Sequence, residues 1–204
     1  MTKLSLLSSF LFFLILLTIS ATANCSKNES ITFNPGIVKA PLVVIVTDEV
    51  IQNICYKTGD SNTCQHILNQ FKGKTLFPKP LANVMAQVKR HAKTTAKKIV
   101  RVYDGMKDQH RFLAMRDVYR KCLKDYTDAM NELTKAEKSM ADANIKPVRE
   151  YALNALNKVR SCDQELDKQW HEASGLTHDN RKFYDLSSIL MVICGTLKMS
   201  IRIG

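Results

Sequence analysis

Residues 112–136 read Phe112-Leu-Ala-Met115-Arg-Asp-Val-Tyr119-Arg-Lys-Cys122-Leu-Lys-Asp-Tyr126-Thr-Asp-Ala129-Met-Asn-Glu-Leu133-Thr-Lys-Ala136. The apolar and small positions Phe112, Met115, Tyr119, Cys122, Tyr126, Ala129, Leu133 and Ala136 recur in alternating steps of three and four. That is the seam of a helix packed lengthwise on its neighbours. The same period recurs on both sides. Pro78 and Pro80 mark the start of a helix carrying Leu81, Val84, Met85, Val88, Ala92, Thr95, Ile99 and Val102, which Gly105 interrupts. After Asn144 and Pro147 the pattern resumes with Val148, Ala152, Ala155, Val159, Cys162 and Leu166. Gly175 and Thr177 precede a last stripe of Phe183, Leu186, Leu190, Ile193 and Leu197. Four long amphipathic helices with short connections predict an all-α, up-down antiparallel four-helix bundle over residues 80–204.

Upstream, residues 47–73 predict a helical hairpin. Thr47 can cap a first short helix with Asp48 and Glu49 in its first turn. Lys57-Thr58-Gly59-Asp60 reads as a turn, Ser61 as the cap of a second helix with Ile67, Leu68 and Phe71, and Gly73 as its end. Residues 24–46 differ in character. Pro35, Gly36 and Pro41 exclude a helix, Leu42-Val43-Val44-Ile45-Val46 is β-prone, and the segment reads as an extended arm packed on the domain. Residues 1–23 have the layout of a secretory signal peptide: Lys3, an apolar run, then Ala21-Thr22-Ala23 before a cut at Asn24. The run of about 16 residues is shorter than the roughly 20 that cross a bilayer, so no membrane association is expected after cleavage.

Export implies an oxidising compartment, in which the six cysteines Cys25, Cys55, Cys64, Cys122, Cys162 and Cys194 are expected to pair. Cys55 and Cys64 fall at facing ends of the hairpin, within reach of each other. Cys122 and Cys162 are equidistant from position 142, inside the connection between the second and third bundle helices. Cys162 and Cys194 are equidistant from position 178, just past the next turn, so register alone permits either bridge. Asn28-Glu29-Ser30 is a glycosylation acceptor at Asn28.

The sequence carries no recognisable catalytic set, metal site or cofactor motif. Seven glycines build no phosphate-binding loop, and there is no Gly-x-Ser-x-Gly elbow. His66, His91, His110, His171 and His178 are scattered, and none follows an Asp or Glu by three positions as a di-iron bundle requires. The charge pattern says more. The full chain has a formal net charge of +11, and Ser61 to Tyr103 contains no acidic residue. That span holds Lys72, Lys74, Lys79, Lys89, Arg90, Lys93, Lys97, Lys98 and Arg101. The last six share one helix whose other face is apolar. They read either as a solvated face or as a polyanion site. Export argues against nucleic acid and for an acidic wall polysaccharide or an acidic protein surface.

Ile54-Cys55 with Thr58, Cys64 and Leu68 resembles the N-terminal hairpin of the plant pectin methylesterase and invertase inhibitors. Residues 119–133 resemble that family's second bundle helix. Ala155-Leu156 with Ser161-Cys162-Asp163 resembles the third, and Asp185-Leu186-Ser187 the last. The resemblance implies the bridges Cys55–Cys64 and Cys122–Cys162. It also implies a non-enzymatic inhibitor that docks one-to-one on a cell-wall enzyme, pectin methylesterase or acid invertase. Cys194 resembles the family's extra, often unpaired cysteine. Cys25 and the arm to Val46 have no counterpart. Invertase inhibitors of this type carry a Pro-Lys-Phe triplet between the second and third bundle helices. Residues 137–147 lack it, which shifts the expected target to pectin methylesterase. Candidate contacts lie off the apolar seam on those two helices: Lys124, Asp128, Asn131, Asn154 and Lys158. As single residues they read equally as solvated helix faces.

Overall fold

The computed structural model describes residues 43–106, 113–168 and 174–200. The expected signal segment, Cys25 and Asn28 lie outside the described residues, as do His110, Phe112, Trp170 and His171. Six helices run in the order α1 Asp48–Cys55, α2 Ser61–Asn69, α3 Lys79–Gly105, α4 Leu113–Ala141, α5 Ile145–Leu166 and α6 Leu176–Ser200.

The hairpin is fixed by local chemistry. Thr47 Oγ1 accepts from Val50 N–H at 3.2 Å, as expected of its cap. The second helix is capped by Asp60 rather than Ser61: its carboxylate accepts from Thr63 N–H at 2.9 Å and from the Thr63 hydroxyl at 2.6 Å. A carboxylate has two acceptor oxygens and a hydroxyl one, so Asp60 satisfies the helix terminus and the Thr63 side chain together. These bonds hold the Asp60 carboxyl below its usual value. The Cys55–Cys64 bridge closes the hairpin, with Cα atoms 5.4 Å apart.

Ile51, Ile54, Ile67 and Leu68 are buried beneath the hairpin. Gly59, in its turn, sits so close to α6 that a Cβ there would lie 2.5 Å from Asp185 Oδ1. The described end of the β-prone arm pairs with the segment after α2. Val46 and Gly73 N–H donate to Lys74 O and Val46 O at 2.8 and 2.9 Å, and Leu76 N–H donates to Val44 O. Gly73 therefore does not end α2, which stops at Asn69; its φ of 78° serves this pairing instead.

In the bundle, α4 packs between α3 and α5, and α6 packs between α5 and α3, so the four long helices close a ring. The expected apolar stripes face inward. Leu81, Val84, Met85, Val88, Tyr119, Tyr126, Leu133, Val148, Val159, Phe183, Leu190 and Ile193 are all buried. Gly105 is the last residue of α3, so the helix ends where the interruption is expected. The α4–α5 connection is three residues long. Asn144 N–H donates to Ser139 O and Ala143 N–H to Met140 O, a Schellman closure. It puts Ala143 at φ 54°, where glycine is usual.

The Cys122–Cys162 bridge joins α4 to α5, with Cα atoms 4.6 Å apart. Cys194 is an unpaired thiol, buried in α6, and burial pushes its pKa up to about 12. The rival pairing of Cys162 with Cys194 is thus excluded. Beside the bridge lies a polar chain through the core. Tyr126 O–H donates to Asn180 Oδ1 at 2.7 Å, Asn180 Nδ2 donates to Asp163 Oδ1 at 2.9 Å, and Tyr184 O–H donates to Asp163 Oδ2 at 3.1 Å.

Candidate partner-binding face

With α4 and α5 tied at Cys122–Cys162, the rest of their register follows. Along the outer seam, Lys121 Nζ meets Glu165 at 2.8 Å, and Lys158 Nζ lies 3.6 Å from Asp128. Asn154 Nδ2 donates to Glu132 at 3.2 Å, and Lys135 Nζ sits 5.8 Å from the centre of the Tyr151 ring. In every rung the two residue numbers total 286. This constant sum is the signature of an antiparallel pair, and it places a polar ladder of four rungs along about 21 Å of α4 at 1.5 Å per residue.

The expected contact residues divide within this ladder. Asp128 collects both Lys124 at 2.8 Å and Lys158, so these three form one cluster. Asn154 belongs to the next rung. Asn131 is exposed one turn along from Asp128 and does not join a rung. Lys121, Asp125, Glu132, Lys135, Ser161 and Glu165 were not among the sequence-based candidates. Pairing at the Cys122–Cys162 sum of 284 sets Lys121 against Asp163 and Glu132 against Ala152, so the register of the bridge alone would not have found them.

The cations set the charge of this face. Lys124, Lys135 and Lys121 hold the carboxyls of Asp128, Glu132 and Glu165, respectively, below their usual range. Asp125 is the exception. It is only 7% exposed, one of its oxygens meets no donor among the described residues, and burial raises its pKa. A raised folded pKa means that the stability it contributes is fully present below the ordinary aspartate value. That stability is lost as pH rises through the folded value. Asp125→Asn is therefore expected to gain stability relative to the native chain between about pH 4 and pH 7. Urea unfolding of both proteins at the two pH values checks this; an equal difference at both would show that Asp125 keeps its ordinary pKa.

The basic face of α3 also divides. Lys89 pairs with Glu137 of α4, and Lys98 pairs with Asp179 of α6 at 2.7 Å. Arg90, Lys93, Lys97 and Arg101 are exposed and ion-pair with no carboxylate among the described residues. His91 is half-buried with Nε2 2.7 Å from Asp179 O, and burial lowers its pKa. Among the described residues, no cluster of three His, Cys, Asp or Glu could hold a metal, and no helix is long and apolar enough to cross a membrane.

The family model "Plant invertase/pectin methylesterase inhibitor" matches residues 49–193. The chain belongs to this inhibitor family. Two solved structures share its fold. One is mutant form A of a pectin methylesterase inhibitor from Arabidopsis, with a TM-score of 0.60 at 21% identity, covering 71% of this chain and 95% of that one. The other is a pectin methylesterase inhibitor from Arabidopsis thaliana, with a TM-score of 0.56 at 21% identity, covering 74% and 97%. No curated protein matches the chain. Residues 49–193 include both disulfides, the whole α4–α5 ladder and the α3 stripe.

Proposed function

We propose that the protein inhibits a pectin methylesterase by laying the outer α4–α5 face, one-to-one, over the enzyme's substrate cleft. The observation that carries this reading is the four-rung ladder within a domain of the inhibitor family. Its side chains are already held across two helices tied by a disulfide. Docking would therefore freeze few of them, which is where much of the cost of association arises. The size is adequate. The 22 residues of α5 span about 33 Å, and two helices of about 10 Å width give a footprint of some 660 Å². A stable interface covers about 600–1,000 Å² per partner. The absence of a Pro-Lys-Phe triplet in residues 137–147 supports pectin methylesterase over invertase. Secretion fits the same reading, through the leader at 1–23 and two bridges suited to an oxidising space.

The test is to mix the oxidised protein with plant pectin methylesterases and acid invertases and to measure residual activity. Pectin methylesterase is expected to lose activity at a one-to-one ratio. Asn131→Trp adds bulk to the face without touching a rung, and should weaken inhibition about tenfold or more, as a poorly fitting central residue does. Thr94→Trp, exposed on α3, should leave inhibition unchanged. Loss of invertase activity alone would overturn the target. Equal effects of the two tryptophans would overturn the face.

A further inference from the structure

We propose that the outer stripe of α3, formed by Arg90, Lys93, Lys97 and Arg101, is a second binding surface, one for a linear polysaccharide bearing regularly spaced carboxylates. The four cations follow one another at intervals of three, four and four residues. On a helix this keeps them on one side, in a row about 16 Å long. All four are exposed, while the basic residues on either flank, Lys89 and Lys98, are occupied by Glu137 and Asp179. The charge is thus concentrated into a single line rather than spread over the helix. No acidic residue occurs from Ser61 to Tyr103, so nothing interrupts the row between Arg90 and Arg101; Asp104, the one carboxylate of α3, lies beyond its end. A line of charge is complementary to an extended polyanion rather than to a compact anion.

The chemistry favours a polycarboxylate over a single-stranded nucleic acid. Between the cations the exposed residues are Thr94 and Val100, and no aromatic side chain stands in the row to stack a base. The surface is also independent of the ladder. The ring order of the helices puts α3 diagonally opposite α5, and the stripe points outward from that corner. A polysaccharide on α3 leaves the α4–α5 face uncovered. An inhibitor bound to an enzyme could therefore stay tethered to an acidic polymer at the same time, which raises its effective concentration there.

Binding is tested with the chain alone on immobilised polygalacturonate, so its outcome does not depend on inhibition. Retention should be strong at low salt and collapse as the screening length shrinks from about 10 Å at 0.1 M to about 3 Å at 1 M. Lys93→Glu/Lys97→Glu should weaken binding about fivefold or more, since each reversed charge replaces an attraction by a repulsion. The control Lys57→Glu/Lys198→Glu makes the same change in net charge at a groove lined by the hairpin turn, α5 and α6, and should weaken binding less than about twofold at the same salt. Fully methyl-esterified pectin, which has the same backbone without the charge, should not bind. Equal losses in the two double variants would reduce the effect to net charge and overturn the stripe. Retention on esterified pectin would overturn the role of carboxylates, and tighter binding to single-stranded DNA of equal length would overturn the ligand class.

Discussion

Cys122→Ala/Cys162→Ala is expected to lose about 4 kcal/mol of stability, and Cys55→Ala/Cys64→Ala about 2.7 kcal/mol. The difference comes from the loops the two bridges close, with sequence separations of 40 and 9. In the chain-entropy account, a longer closed loop removes more freedom from the unfolded chain. The larger loss also has a structural consequence. The bridge pins α4 and α5 at the height on which the ladder depends. Both cysteines must be replaced together, because a single change would leave a buried thiol beside the polar chain at Asn180. Urea unfolding with linear extrapolation measures the two losses. A loss below about 1 kcal/mol for the α4–α5 bridge would mean that the unfolded chain keeps this hairpin closed without it.

Asn180→Leu should cost about 2–4 kcal/mol, although leucine matches asparagine closely in size. Asn180 is fully buried and bridges the Tyr126 hydroxyl to the Asp163 carboxylate. Leucine leaves the Tyr126 hydroxyl without its acceptor in a site with no exposure, and an unsatisfied buried polar group costs more than a made bond contributes. The cost therefore lies largely in the stranded partner. Tyr126→Phe alone should cost about 1 kcal/mol. In the combined Asn180→Leu/Tyr126→Phe variant, both ends of the bond become apolar, and the total should fall short of the sum of the single losses by at least about 1 kcal/mol. Asp163 is half-buried and keeps Tyr184 as a donor, so it limits the remaining penalty. Additive losses would show that the Tyr126 hydroxyl has a second acceptor, most directly Thr95, whose own oxygen lacks a partner.

Much of the fold was legible because burial imposes a period on the sequence. Tyr119, Cys122, Tyr126, Ala129, Leu133 and Ala136 fall on one stripe, and all six are buried. Helix starts were legible where a cap has one available chemistry, as at Thr47, and were misread where two capping residues adjoin, as at Asp60 and Ser61. The end of α2 was misplaced because Gly73 signals a left-handed turn without saying which neighbour requires it. Here the requirement is the pairing with Val46, 27 positions away.

The candidate sites were less legible. Six basic residues on α3 look alike in the sequence, but Lys89 and Lys98 meet carboxylates 48 and 81 positions away, and only the four between and beyond them are left exposed. Likewise Lys124, Asp128, Asn131, Asn154 and Lys158 read as outward-facing in the sequence, whereas Asp125, next to a core tyrosine, gives no sign of lying on the same face.

The sequence alone determined the all-α class, the four long amphipathic helices, the hairpin before them and the membership of Cys122 and Cys162 in the apolar seam. These depend on spacing within one helix, and spacing is written directly in residue order. Tertiary structure decided which cysteine Cys162 joins and which lysines are neutralised. It also decided that an asparagine would stand fully buried among three helices. Those outcomes depend on the height at which one helix meets another. That height is set by the packing of both partners and the length of the turn between them, and no single segment contains it.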